Sequence, residues 1–132
     1  TVKTASGTGY IMPVAATALV YSNGTNTALG MLQKSYVTHT AAYTAVAGDQ
    51  IFCDTKTTNA FTVTLPAGVV NDEITFIDSQ NYFASNNLTI DSNGAEKINS
   101  SASNLVLSAN GQAITLVYAN ATVGWIYKTN TE

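Results

Sequence analysis

The sequence predicts an all-β fold: an antiparallel β-sandwich, jelly-roll-like, carrying an N-terminal extension or hairpin. Three observations predict it. From Tyr43 onward, β-branched and aromatic residues alternate with polar ones in short runs. The runs are punctuated by Asn, Gly, Asp, Ser and Pro at roughly 8–12 residue spacing, the turn rhythm of a sandwich or barrel. Helical periodicity is nearly absent.

Taken in order, residues 1–42 read as an extension that packs on another subunit or as an appended hairpin, and residues 43–132 as the sandwich module. Within "TALVYSNGTNTALGML", Asn23-Gly24 predicts a hairpin that pairs Leu19 with Ala28 and Ala18 with Leu29. Its flanks are weak, because Ala and Thr dominate and Gly30 interrupts the second arm. "GMLQKSYVTH" suits a short helical turn as well as a strand. The module then offers strands at 49–55, 60–66, 72–78, 86–91, 95–99, 104–109, 112–118 and 124–129.

In "FTVTLP", Phe61, Val63 and Leu65 share one face and Thr62 and Thr64 the other, until Pro66 ends the strand for want of an N–H. In "EITFID", Ile74, Phe76 and Asp78 oppose Thr75 and Ile77, so both faces carry apolar side chains. Asn93-Gly94 is expected to turn "NLTI" back onto "AEKIN". Asn110-Gly111 is expected to form a type I′ turn that pairs Ala109 with Gln112, Leu107 with Ile114, and Leu105 with Leu116. On the last strand Trp125 and Tyr127 share a side and Ile126 takes the other. Gly124 lets the chain leave its turn close to the sheet, and Trp125 closes the apolar layer of Leu105, Leu107, Ile114 and Leu116.

At 132 residues the chain has room for one domain, or one domain plus a short extension. Only 10% of it is charged, against about 25% in ordinary globular proteins, while 45% is hydrophobic. Such a monomer would expose appreciable apolar surface, so self-association is expected; the alternative is a Thr-rich exposed face with no partner. The net charge of -3 leaves no basic patch for nucleic acid and disfavours anionic membranes. No run approaches the ~18 apolar residues of a membrane span. Starting at Thr and not Met, the chain is expected to be a piece or a processed form of something longer.

Chemistry finds little to work with. Cys53 is the one cysteine, which excludes an internal disulfide and reads as a buried apolar thiol. His39 is the one histidine, with no acidic residue within nine positions on either side, so neither a catalytic dyad nor a metal cluster is indicated. Asp49, Asp54, Asp72, Asp78 and Asp91 flank strand ends, where Asp caps turns, and no glycosidase pair is suggested. "IDSQN" and "IDSNG" favour Asx turns at Asp78 and Asp91 over a calcium loop. No enzyme, cofactor or metal is expected. Sugar recognition is the functional alternative: Tyr82 and Phe83 in "SQNYFASNN" are the loop candidates, and Trp125 is a weaker platform because its position suits the core.

Residues 43–130 as a whole resemble a β-rich module of tail fibres, appendages and other structural proteins of tailed bacteriophages. The resemblance rests on the order of "GDQIFCDT", "FTVTLPA", "DEITFID", "NNLTID", "SNGAEKIN" and "LVYANATVGWIYK". It implies a bacteriophage virion structural protein, a homotrimeric tail-fibre or appendage module acting in assembly or host adhesion. Its partners would be copies of itself, other virion proteins and a host surface glycan. A glycan-binding receptor-recognition module and a capsid-decorating protein are the alternatives.

Overall fold

The computed structural model describes residues 18–22, 27–31 and 35–131. Contacts divide the chain into two compact units, Thr1–Gln33 and Lys34–Glu132, earlier than the boundary expected after residue 42. In the first unit, β1 (Ala18–Ser22) and β2 (Thr27–Met31) form an antiparallel pair in which Ser22 meets Thr27, Val20 meets Leu29 and Ala18 meets Met31. A hairpin was expected here, but in another register. The Asn23-Gly24 turn itself lies outside the described residues.

The second unit is all-β, with no helix among the described residues. Its strands are β3 (Tyr36–His39), β4 (Tyr43–Thr44), β5 (Gln50–Cys53), β6 (Phe61–Thr64), β7 (Glu73–Asp78), β8 (Leu88–Asp91), β9 (Leu105–Leu107), β10 (Ala113–Asn120) and β11 (Gly124–Thr131). They make a five-stranded sheet in the order β11-β10-β7-β5-β3 and a four-stranded sheet in the order β4-β6-β8-β9. Of the segment 30–39 that suited a helical turn as well as a strand, Gly30 and Met31 fall in β2 and Tyr36–His39 form β3, while 32–34 lie outside the described residues. Of the eight strands expected, only 95–99 is missing, where Ile98 makes isolated bridges to Ser101 and Trp125.

The expectation of antiparallel sheets needs correction, because both sheets are mixed. From β3 to β8 the chain changes sheet at every strand, so β3, β5 and β7 fall in one sheet and β4, β6 and β8 in the other. Each excursion through the opposite sheet returns the chain in its original direction, and the ladders β3–β5, β5–β7, β4–β6 and β6–β8 are therefore parallel. Antiparallel pairing occurs at β8–β9 and β10–β11, where the chain stays in one sheet, and at β7–β10.

The same winding overturns the expected 104–109/112–118 hairpin. Leu107 pairs with Leu88 in the four-stranded sheet, while Ile114 pairs with Phe76 in the five-stranded one. Gln112 N–H still donates to Ala109 C=O at 3.2 Å, but only Gly111 of the central pair has positive φ, at 75°. That is the pattern of a type II turn, whose twist splays strands apart. Asn110-Gly111 is thus a corner between sheets. At Asn93-Gly94, too, only the glycine is at positive φ, and no strand follows. The I′ pattern appears instead at Asn99 and Ser100, with φ of 50° and 67°, between the mutually bonded Ile98 and Ser101.

Both sheets contribute to one core. Ile51, Cys53, Ile74, Phe76, Ile114, Leu116 and Trp125 come from the five-stranded sheet, and Val63, Leu88, Ile90 and Leu107 from the other. Strict alternation of buried and half-buried residues along β7 and β10 is the period-two signature realised. Each fully buried aliphatic side chain contributes about 1.5–3 kcal/mol, which offsets the ordering of the short strands.

Candidate functional site

Trp125 is the plug of one end of the core. Its side chain is 0% exposed, it packs edge-on against Tyr118 with centroids 5.5 Å apart, and its indole N–H donates to Glu96 Oε2 at 3.3 Å. The Glu96 carboxylate also accepts the Gly68 N–H at 3.0 Å. Gly68 lies flat on the Tyr118 ring, where a Cβ would collide with it. Gly124 has φ +76°, and a Cβ there would run into the Lys97 carbonyl. That close approach lets Trp125 N–H donate to Lys97 C=O at 2.9 Å. Tyr127 packs against the core on the same side, as expected.

Phe83 is also 0% exposed, so of the three aromatic residues considered for sugar stacking, Phe83 and Trp125 have no ring face to offer. The reason is Asp78. Its buried carboxylate accepts N–H groups from Gln80 (3.3 Å), Tyr82 (2.8 Å), Phe83 (3.1 Å) and Gly111 (3.0 Å). These bonds curl the loop back onto the sheet and turn Phe83 inward. Asn110 Oδ1 accepts the Ala84 N–H at 2.8 Å, and Asn86 Nδ2 donates to Thr55 C=O at 2.9 Å, so the loop is fastened on both sides. Tyr82 alone remains half-buried, with Lys56 Nζ 5.8 Å from its ring centroid.

Asp78 does make the expected Asx turn, through Gln80 N–H. Asp54 acts likewise, accepting Lys56 N–H at 3.0 Å, Thr57 N–H at 2.9 Å and the Thr57 hydroxyl at 2.7 Å. The bonds from Thr57 hold its carboxyl below the usual carboxylate range. Among the described residues no three His, Cys, Asp or Glu side chains gather as a metal ion would require. Cys53 is buried, and desolvation pushes its thiol up to about 12, which leaves it protonated and unreactive at neutral pH.

A second region was not foreseen from the sequence. A groove of about 220 Å³ opens between the sheets at β3 and β4, lined by Val37, His39, Tyr43, Asp49, Gln50 and Ile51 among others. Asp49 Oδ2 accepts the Tyr43 hydroxyl and the Val46 N–H, both at 2.9 Å. The carboxylate beside it pushes the pKa of the Tyr43 phenol above its ordinary value and so disfavours its ionisation, first through that hydrogen bond. The His39 ring stacks on Tyr43 with centroids 3.8 Å apart. β3 and β4 lie in different sheets, and only that separation brings residues 37, 39, 43 and 49 around one opening. The nearest signal in the sequence was the lone His39 followed at close range by Tyr43 and Asp49.

Comparison with protein-family models and with curated proteins finds no match for the chain.

Proposed function

We propose that the chain is a non-catalytic virion structural protein, a self-associating β-sandwich module of a bacteriophage fibre or appendage that works in assembly or host adhesion. The observation that carries this reading is the outer face of the five-stranded sheet. Pairing aligns Phe52, Ile77 and Ala113 in one row and Val117 with Ile126 in another, all partly exposed. Between the rows, the Thr75 and Thr115 hydroxyls hydrogen-bond each other at 2.9 Å. An ion pair on this face, Lys128 with Glu73 at 2.9 Å, stands at the start of β7, where Glu73 is level with Val117. A longer apolar strip and a shorter one with hydroxyls between them suit a surface between subunits. The outer face of the four-stranded sheet is richer in threonine, with Thr44, Thr64 and Asp91 in one row and Thr62, Thr89 and the exposed Val106 in the other.

In this reading three copies pack their five-stranded sheets about an axis, and other virion proteins or a host glycan engage what remains exposed. The test is mass in solution at micromolar concentration. A trimer is expected, and Ile77→Lys, which puts an ammonium group in the middle of the strip, is expected to release folded monomers. A wild-type monomer at that concentration overturns the reading. Glycan recognition is the second reading, favoured by the Tyr82 ring on its fastened loop; glycan-array binding lost on Tyr82→Ala would support it.

A further inference from the structure

The pairing register continues one inward-facing row across four strands: Val37, Ile51, Phe76 and Ile114. Three of them are sealed, with Ile51 and Ile114 1% exposed and Phe76 0%, whereas Val37 is 54% exposed. It stands at the edge of its sheet, and the strand opposite, β4, has only two residues. Asp54 N–H donates to His39 C=O at 3.0 Å, so His39, and by alternation Val37, aim their backbone groups toward β5. Tyr36 and Thr38 therefore aim theirs outward. The β3 sequence YVTH has no lysine, proline or acidic residue to protect an edge, and among the described residues no strand pairs with its outer side.

Beside this edge lies the groove, and at its rim Asp49 uses only Oδ2 for Tyr43 and Val46. Gln50 pairs with Tyr36, so Asp49 is level with Ser35, one inward-facing position before Val37.

We propose that β3 is a strand-addition site for an extended segment of another protein, running parallel to β3, that places an apolar side chain on Val37 in the groove and a basic side chain, two residues earlier, on Asp49. Parallel addition continues the direction of β3, β5 and β7. Backbone bonds to Tyr36 and Thr38 supply affinity, and the alternate side chains supply selectivity, as in other sheet-edge recognition. A basic-x-aliphatic pattern is thus the minimal motif. The net charge of -3 on the receiving chain also favours a basic partner. This inference rests on the geometry of β3 and not on self-association through the sheet face.

The experiment uses the full chain, isotope-labelled for NMR, titrated with the capped peptide Thr-Lys-Thr-Val-Thr-Asn. Shift changes are expected at residues 35–40, at Tyr43 and at Asp49 to Ile51, with exchange of the Tyr36 and Thr38 amides slowed on binding. Replacing the peptide's Lys by Glu should weaken binding about fivefold, the upper range for an exposed ion pair, and Asp49→Asn should erase that difference. Thr38→Pro should abolish binding, since it removes an outward N–H while leaving those toward β5. Three results would overturn the proposal: Tyr36 and Thr38 amides already protected in the free protein, no shifts at millimolar peptide, or shifts of the same residues by N-acetylglucosamine or galactose and not by peptide. Mass measured on the same sample reports separately on self-association.

Discussion

The two ends of the core are built on opposite plans. Around Trp125 the chain doubles back: Ile98 bridges to Trp125, Asn99 N–H donates to Trp125 C=O at 2.7 Å, and Ser100 N–H donates to Val123 C=O at 2.9 Å. The segment 95–101, too irregular to be a strand, serves as a lid. Around Val37 the alternating winding simply begins, with nothing among the described residues stacked beyond it. The contrast teaches that a chain alternating between sheets seals an end only where it stops alternating and folds back. One end is closed by packing, and at the other Val37 stays exposed.

The contrast can be broken most sharply by deletion at each end. Trp125→Ala should cost about 3–5 kcal/mol in denaturant-unfolding free energy, as for other buried aromatic residues, because the lid is too tightly bonded to collapse into the space. Val37→Ala should stay within about 0.5 kcal/mol, as an exposed edge substitution does. Equal losses at the two ends would break the comparison. Asp78→Ala should follow at about 3 kcal/mol, since it removes the acceptor of four N–H groups at once, that of Phe83 buried, and slowed amide exchange at Tyr82 and Phe83 should be lost with it.

Smaller effects sharpen the picture on the β3–β5 side. Thr55 is buried and its hydroxyl has no partner, so Thr55→Val, which keeps the shape, should stabilise the protein by about 1 kcal/mol in the same unfolding measurement. Asp54, whose folded pKa is lowered by the hydrogen bonds from Thr57, adds stability that is complete above its unfolded pKa and is lost as pH falls through the folded value. A urea series from neutral to acid pH should therefore show the wild type losing more stability than Asp54→Asn. A steeper acid loss in the variant would reverse the sign and refute the assignment.

Much of the strand pattern was legible because period-two alternation is local. Phe61, Val63 and Leu65 all turn inward to some degree, and Trp125 with Tyr127 faces the core as its spacing implied. Sheet membership was not legible. Asn110-Gly111 is compatible with a hairpin or a corner, and what decides is φ at Asn110, set by whether β9 or β7 reaches β10 first. Phe83 was misjudged for a related reason: a loop aromatic residue looks exposed until an Asp at the preceding strand end gathers its N–H groups. The groove was invisible because His39, Tyr43 and Asp49 share no period within a single strand. Their convergence is a product of winding.

One feature of the topology bears on how such a chain would carry load. β3 is parallel to β5 and β7, and two antiparallel steps through β10 make β11 parallel to β3 at the far edge of the same sheet. The second unit is therefore entered at the foot of one edge strand and left at the head of the other. Tension between these points has a component along the strands, which strains the backbone bonds of a ladder together and not one after another. Rupture under force is then governed by a high unfolding barrier, and pulling by the ends should meet more resistance than pulling β3 sideways off β5.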